Sequence, residues 1–278
     1  MRRYKLPKEL EGTILEQIME VKLREIAGSI GKLPGRSVTM ALERAPEIRS
    51  LKRTLSRHSP AVIAEIKKAS PSAGVLRPNF DPIAIAREYE KSGAAALSVL
   101  TEVHHFQGNL EDIARIRWAT RIPILRKDFL VDPYQVLEAR LAGADAVLLI
   151  AALLDTAALK LMREEAEQTG MEALVEVHTA SELERALEAG ATLIGVNSRD
   201  LRTFEVSLDV CFDLVKRVPA SAIAVAESGI RSADDVRRLG AAGYKGFLIG
   251  EMFLRAPSPG AALAGLLQAG SPPARKAS

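Results

Sequence analysis

The chain has 278 residues, 47% of them hydrophobic, and 38 Lys and Arg nearly balance 35 Asp and Glu. This composition excludes disordered, collagen-like and coiled-coil proteins and predicts a globular protein. Basic and acidic residues alternate along the chain and aromatic residues make up 4% of it, which argues against nucleic-acid binding. The single cysteine, Cys211, excludes an intrachain disulfide framework and fits a reducing compartment.

The first 60 residues predict a helical extension. Ile14, Ile18 and Val21 recur at helical spacing before a break at Pro34 and Gly35. The basic start is not followed by an apolar signal region, and no run approaches the roughly 18 apolar residues that a membrane-spanning helix needs. We therefore expect a cytoplasmic protein that does not contact a membrane.

From Ala61 onward, short apolar runs alternate with charged amphipathic stretches, a pattern typical of βα units around a parallel sheet. The eight runs are residues 62–67, 95–100, 122–127, 146–150, 173–177, 193–197, 223–227 and 246–249. A glycine precedes four of them and predicts a left-handed helix end: Gly93, Gly143, Gly190 and Gly243.

Eight such units predict an α/β fold, a (β/α)8 TIM barrel with an N-terminal helical extension. A doubly wound open sheet is the alternative, because the number of strands alone does not prove closure. We expect one domain over residues 1–278, with the extension at 1–60, the barrel at 61–268 and a frayed tail at 269–278. A monomer is expected in preference to a homodimer.

The carboxyl ends of the predicted strands carry ionisable and amide side chains. In a TIM barrel the active site lies at these ends. The residues are Glu65, Lys67, Lys127, Glu176, Asn197 and Glu227. A charged residue in a strand that is buried on both faces indicates a paired and functional charge, and lysines with carboxylates suit general acid and base catalysis. Solvated strand ends are the alternative interpretation.

A second group of residues predicts a phosphate site. Ser228 and Gly229 follow strand seven, and Gly250 follows strand eight, where such barrels often bind phosphate through backbone N–H groups. Ser70 is a possible further contact, and ordinary turn glycines are the alternative. The four histidines have no metal-binding spacing, so we expect no metal site.

Seven motifs occur in order along the chain: AEIKKASPSAG from 64, LTEVHHFQG from 100, PILRKDFLVDPYQ from 123, GADAVLLI from 143, GVNSRDL from 195, AESGI from 226 and FLIG from 247. Together with the helical extension, they resemble the indole-3-glycerol phosphate synthase family of tryptophan biosynthesis. The resemblance implies ring closure of 1-(2-carboxyphenylamino)-1-deoxyribulose 5-phosphate, with loss of CO2 and water and without a cofactor.

The resemblance also implies a role for each matching residue. Lys127 matches the general acid on the ketone oxygen and Glu176 the base. Lys67 matches the lysine that binds the substrate carboxylate and is also proposed as the acid for dehydration. Glu65, Asn197, Arg199 and Glu227 match supporting polar residues of the active site. The phosphate-binding set is Ser70, Ser228, Gly229 and Gly250, and the apolar contacts of the aromatic ring are Phe106, Phe129, Leu148 and Leu201.

Two positions depart from the family pattern. Ala73 replaces a lysine that is more common before Gly74, and Met252 stands where a small residue is frequent. These departures bear on the phosphate contacts. The nearest rival is phosphoribosylanthranilate isomerase, which would lack the extension and use a Cys and Asp pair, whereas Cys211 lies in a predicted helix. A non-catalytic or nucleic-acid-binding protein is the rival of a different class.

Overall fold

The protein forms a barrel of alternating strands and helices in a computed structural model. The structure describes residues 4–29, 42–71, 73–200 and 202–270. The barrel strands are β1 (Ala61–Ile66), β2 (Ala96–Leu100), β3 (Ile124–Lys127), β4 (Ala146–Ile150), β5 (Glu172–Val177), β6 (Leu193–Asn197), β7 (Ile223–Glu227) and β8 (Gly246–Ile249). Their buried Val, Ile, Leu and Ala side chains are typical of parallel strands covered on both faces.

The helices alternate with these strands. They are α1 (Ile14–Ser29), α2 (Leu51–Arg57), α3 (Pro82–Lys91), α4 (Glu111–Ala119), α5 (Pro133–Ala142), α6 (Thr156–Gln168), α7 (Ala180–Glu188), α8 (Asp209–Leu214), α9 (Ala233–Ala242), α10 (Glu251–Leu254) and α11 (Pro259–Gly270). A short antiparallel hairpin, Ala69–Ser70 with Gly74–Val75, follows β1. None of the helices in these ranges is long and apolar enough to cross a membrane.

The strands close into a barrel. β1 pairs in parallel with β2 on one side and with β8 on the other, with Ala61 opposite Gly246. Closure confirms the predicted (β/α)8 fold and is incompatible with the open sheet. It also brings the carboxyl ends of the first and last strands together.

Local sequence signals explain where the helices begin and end. The Asp81 carboxylate accepts hydrogen bonds from the N–H groups of Ile83 and Ala84, and Asp132 forms a full capping box with Gln135. The four predicted glycine ends all have positive φ. A capping box at Thr179 and Glu182 forms only in part, because the Glu182 carboxylate accepts the N–H of His178 instead of that of Thr179.

The described part of the N-terminal extension contacts both ends of the barrel. α1 lies at the strand carboxyl ends, where Nζ of Lys22 is 3.0 Å from Oδ1 of Asp128, and the residues near Arg49 lie at the base. Leu15, Ile18 and Met19 of α1 are buried in the same hydrophobic core as the strands. Asp145, at the start of β4, accepts a bidentate pair from Arg117 and a hydrogen bond from the backbone N–H of Arg49. The contacts of Asp145 join the residues near Arg49 to the end of the barrel opposite the strand carboxyl ends, where side chains contribute to stability.

The chain terminus differs from the expectation. α11 continues to Gly270, which is buried, so the frayed tail expected from residue 269 does not begin there. Leu263 and Leu266 of α11 are buried in the core. Their packing explains why the helix extends beyond the expected boundary at residue 268. Residues 271–278 lie outside the described residues.

Candidate active site

An open pocket lies at the carboxyl ends of the strands. Its wall brings together every predicted site residue except Leu201, which lies outside the described residues. The predicted residues that line it are Glu65, Lys67, Ser70, Phe106, Lys127, Phe129, Leu148, Glu176, Asn197, Arg199, Glu227, Ser228, Gly229 and Gly250. They come from positions between 65 and 250 and meet because the barrel closes.

Lys127 is the central cation of the pocket. Its ammonium Nζ lies 3.1 Å from Oε2 of Glu176 and 3.3 Å from Oε2 of Glu227. Strand alternation turns these three side chains toward the barrel interior, where both carboxylates are almost fully buried. The ammonium therefore lies in a fixed position between two carboxyl groups.

Asn197 and Gly195, both on β6, fix the two carboxyl groups. The Asn197 side-chain amide donates to Oε1 of Glu176 at 3.0 Å, and its oxygen accepts the N–H of Arg199. A Cβ atom at Gly195 would lie 2.0 Å from Oε1 of Glu227, so only glycine leaves room for that carboxyl group. Oε1 of Glu227 is buried and has no hydrogen-bond partner among the described residues.

The protonation states follow from burial and from these contacts. Burial lowers the pKa of Lys127, but the nearby Glu176, Glu227 and Glu65 outweigh it, and the net pKa is raised. Burial raises the pKa of Glu176, and the Lys127 charge with the Asn197 hydrogen bond reverses this to a lowered value. For Glu227, burial and Glu176 outweigh Lys127 and raise the pKa to about 8. At neutral pH, Lys127 and Glu176 are charged and Glu227 holds a proton.

A second ion pair lies beside this group. Nζ of Lys67 is 2.6 Å from Oε2 of Glu65, and both side chains are largely buried. Gly250 leaves the space that the Glu65 carboxylate occupies, because a Cβ atom there would lie 2.1 Å from Oε2. The close approach of Gly250 to Glu65 thus places the end of β8 against the first strand.

The predicted phosphate residues line the same pocket. Ser228 and Gly229 adopt left-handed backbone conformations, with φ of 64° and 71°. Ser228 is not a glycine, so this strained turn is a feature typical of functional sites. Ser70 lies in the hairpin after β1, and its hydroxyl accepts the N–H of Ala73. The guanidinium of Arg199 donates to the carbonyl of Phe204 and lies 3.9 Å from Oε2 of Glu251.

Apolar side chains also line the pocket. The rings of Phe106 and Phe129 lie 6.1 Å apart at an interplanar angle of 41°, and Leu148 from β4 adjoins them in the pocket lining. Aromatic pairs at this separation offer a planar ligand a contact of appropriate shape. The pocket can therefore hold a molecule that has an aromatic part, a polar reacting centre and an anionic end.

Several residues of the site were not predicted from the sequence. Ile150 and Leu248 line the pocket, and strand alternation from Leu148 and Gly250 could have identified both. Phe204 also lines the pocket, but it lies in a loop that has no periodicity. Gly195 could not be recognised, because its role depends on the position of Glu227 on the neighbouring strand.

Known proteins resemble the chain over most of its length. A family model described as indole-3-glycerol phosphate synthase matches residues 15–266. An indole-3-glycerol phosphate synthase from Laribacter hongkongensis is 50% identical over 258 residues, which cover 91% of this chain and 98% of the relative. One from Albidiferax ferrireducens is 49% identical over 257 residues, which cover 91% and 97%.

Solved structures show similarity of fold at low sequence identity. A 3-hexulose-6-phosphate synthase has a TM-score of 0.62 at 14% identity and covers 75% of this chain and 99% of its own. A thiamine phosphate pyrophosphorylase from Pyrococcus furiosus has a TM-score of 0.58 at 20% identity and covers 77% and 96%. These two likenesses support the barrel architecture alone. The family model and the relatives near 50% identity establish more, and the chain belongs to the indole-3-glycerol phosphate synthase family.

Proposed function

We propose that the protein is an indole-3-glycerol phosphate synthase that converts 1-(2-carboxyphenylamino)-1-deoxyribulose 5-phosphate into indole-3-glycerol phosphate, CO2 and water. The observation that carries the proposal is the position of Lys127 between Glu176 and Glu227 at the strand ends of a barrel in this family. The substrate has an aromatic carboxylate, a ketone and a phosphate. The pocket offers a different set of side chains to each of these three parts.

Lys127 is the general acid of the ring closure. The aromatic carbon that carries the carboxylate attacks the ketone carbon, and the ketone oxygen becomes negative unless it receives a proton. The raised pKa of Lys127 keeps the ammonium charged at neutral pH, so it is attracted to the developing oxyanion and supplies that proton. Loss of CO2 then returns electrons to the ring and restores its aromatic character.

Lys67 and Glu176 act on either side of this step. Lys67 pairs with the substrate carboxylate before CO2 leaves and afterwards gives a proton to the departing hydroxyl, which becomes water. Glu176, whose pKa is lowered, is ionised and accepts the proton lost from the neighbouring ring carbon. Glu65 orients Lys67, and Asn197 orients Glu176 through its 3.0 Å hydrogen bond.

The phosphate binds at the other end of the pocket. Ser70 and Ser228 offer hydroxyl groups, and Gly229 and Gly250 contribute backbone to the lining of the same pocket. Arg199 adds positive charge at the same rim. Binding energy from the phosphate orients the ketone for attack although the phosphate does not react. The aromatic ring packs against Phe106, Phe129 and Leu148.

The experiment that tests this function uses the purified chain and the anthranilate-linked deoxyribulose phosphate. Indole absorbance and fluorescence should develop together with one CO2 for each product molecule. An isomerase of the same pathway would release no CO2, so this measurement separates the two enzymes. Substrate consumption without an indole chromophore would contradict the proposal.

We also propose that the enzyme is a cytoplasmic monomer with a single domain. The pocket lining runs from Glu65 to Glu251 of the same chain and already offers side chains to each part of the substrate, which supports a site formed within one subunit. Cys211 is a buried free thiol, as expected for a protein in a reducing compartment. Leu10 and Leu15 of the extension share one core with the barrel strands, which supports a single folding unit.

A further inference from the structure

A buried carboxylate lies outside the pocket, in the loop that follows β2. Glu102 is 1% exposed, and its side chain is surrounded by the backbone of its own loop. Its two oxygens accept the N–H groups of His104 at 3.0 Å, His105 at 2.7 Å and Phe106 at 2.9 Å. Nδ1 of His105 also lies 3.3 Å from Oε1. A buried carboxylate that accepts three backbone N–H groups fixes the shape of the turn that supplies them.

This turn places Phe106 in the lining of the pocket. Phe106 lies in the pocket lining against Phe129, and its backbone carbonyl accepts the N–H of Ala69, beside Ser70 of the neighbouring loop. The turn closes at Gly108, whose N–H donates to the Glu102 carbonyl at 2.7 Å. A Cβ atom at Gly108 would lie 2.3 Å from the carbonyl oxygen of Leu100, so only glycine fits at this position.

We propose that Glu102 is a positioning residue that holds Phe106 in place as the wall for the aromatic part of the substrate. The inference rests on the proposed function, because that function requires an aromatic ring on this side of the pocket. Glu102 does not contact the pocket itself and acts through the backbone of residues 104–106. Its loss should weaken binding of the aromatic part and leave binding of the phosphate end unchanged.

Glu102→Gln tests this proposal, because it keeps the size of the side chain and replaces one accepting oxygen with an NH2 group that faces N–H donors. Two competitive inhibitors serve as probes: anthranilate for the aromatic side and inorganic phosphate for the other end. We expect the inhibition constant of anthranilate to rise about fivefold, as the loss of one aromatic contact implies. The inhibition constant of phosphate should change by no more than about twofold, the margin within which independent sites do not affect each other. Glu111→Gln, at an exposed position after the same loop, is the matched control and should change neither constant.

A double-mutant cycle with Phe106→Leu separates positioning from a general loss of stability. If Glu102 acts through Phe106, Glu102→Gln should add little to the anthranilate effect in the Phe106→Leu background. Equal losses for both probes, or an undiminished effect in that background, would overturn the proposal. Glu102→Asp keeps the charge but withdraws the carboxylate from its three N–H donors, and it should reproduce the selective loss even if Glu102→Gln fails to fold.

Amide hydrogen exchange gives a readout that does not need catalysis. The N–H groups of residues 104–106 should exchange faster in Glu102→Gln, while the amides of β3 and β5 keep their wild-type protection. Unchanged exchange at residues 104–106 would contradict the role of Glu102. Wild-type turnover is measured separately, so an inactive wild type would reject the proposed function, and the exchange pattern would still test the position of the loop.

Discussion

The carboxyl group of Glu227 occupies the space in which a side chain at Gly195 would lie. A Cβ atom at Gly195 would approach Oε1 of Glu227 to 2.0 Å, and the two residues lie on the adjacent strands β6 and β7. The Glu227 carboxyl group can therefore take this position only because residue 195 has no side chain. This relationship couples the strand packing to the geometry around Lys127.

Gly195→Ala should consequently destabilise the protein through Glu227. We expect the free energy of unfolding, measured with denaturant, to fall by about 1 to 3 kcal/mol, the usual effect of adding a methyl group to a filled interior. In a Glu227→Ala background the space is open, so the same substitution should cost much less. Equal losses in the two backgrounds would show that the Cβ atom meets a different obstacle.

Glu227 should also make stability depend on pH. Its pKa rises from an ordinary value of 4.5 to about 8, so the folded state holds a proton that the unfolded state releases between these values. The unfolded state binds fewer protons in that range, and the free energy of unfolding contributed by this group falls as pH rises from about 4.5 to 8. Denaturant titrations at several pH values should show this decline for the wild type relative to Glu227→Gln. A constant difference between the two proteins across the range would contradict the raised pKa.

The phosphate site can be tested at Ser70. Ser70→Ala removes one hydroxyl that is expected to donate to the dianion, and a hydrogen bond to a charged group contributes about 1.5 to 3 kcal/mol. KM for the phosphorylated substrate should rise about tenfold or more, and inhibition by inorganic phosphate should weaken in parallel. Ser56→Ala, at an exposed position of α2, is the control. An unchanged phosphate inhibition constant in Ser70→Ala would remove Ser70 from the site.

The base of the barrel should govern stability and not catalysis. Asp145→Asn leaves the buried guanidinium of Arg117 without its carboxylate partner, and breaking a buried pair in this way costs about 3 to 5 kcal/mol. Denaturant unfolding should show a loss of this order. The kcat of the folded fraction should match that of the wild type, because Asp145 lies at the amino end of β4, away from the pocket. A stable variant with low kcat would reverse this assignment.

The sequence predicted the strands well because their apolar runs are short and bounded by clear signals. β4, β6, β7 and β8 have the predicted bounds, and β3 begins two residues later than expected, after Pro123. A proline cannot donate a backbone hydrogen bond, which explains the later start. The short helix α10 was not predicted, because four residues carry no periodicity.

The pocket could be predicted in composition but not in its contacts. Strand ends identified Lys127 and Glu176 as members of one site, and the barrel fold implied that they meet. The hydrogen bond from Lys127 to Glu176 and the raised pKa of Glu227 depend on distances between side chains on different strands. These distances cannot be read from the spacing of residues in the sequence. Glu102 illustrates the same limit, because its three hydrogen bonds arise from the local fold of one loop.

Lys127 provides the most direct test of the account. The rate of product formation in a single turnover should be measured for the wild type, for Lys127→Met and for the exposed control Lys160→Met. We predict that Lys127→Met slows ring closure by at least about 100-fold, the lower end of general acid catalysis, while the affinity for substrate changes far less. Lys160→Met should behave as the wild type. A near-normal rate for Lys127→Met would show that another group supplies the proton and would contradict the central claim.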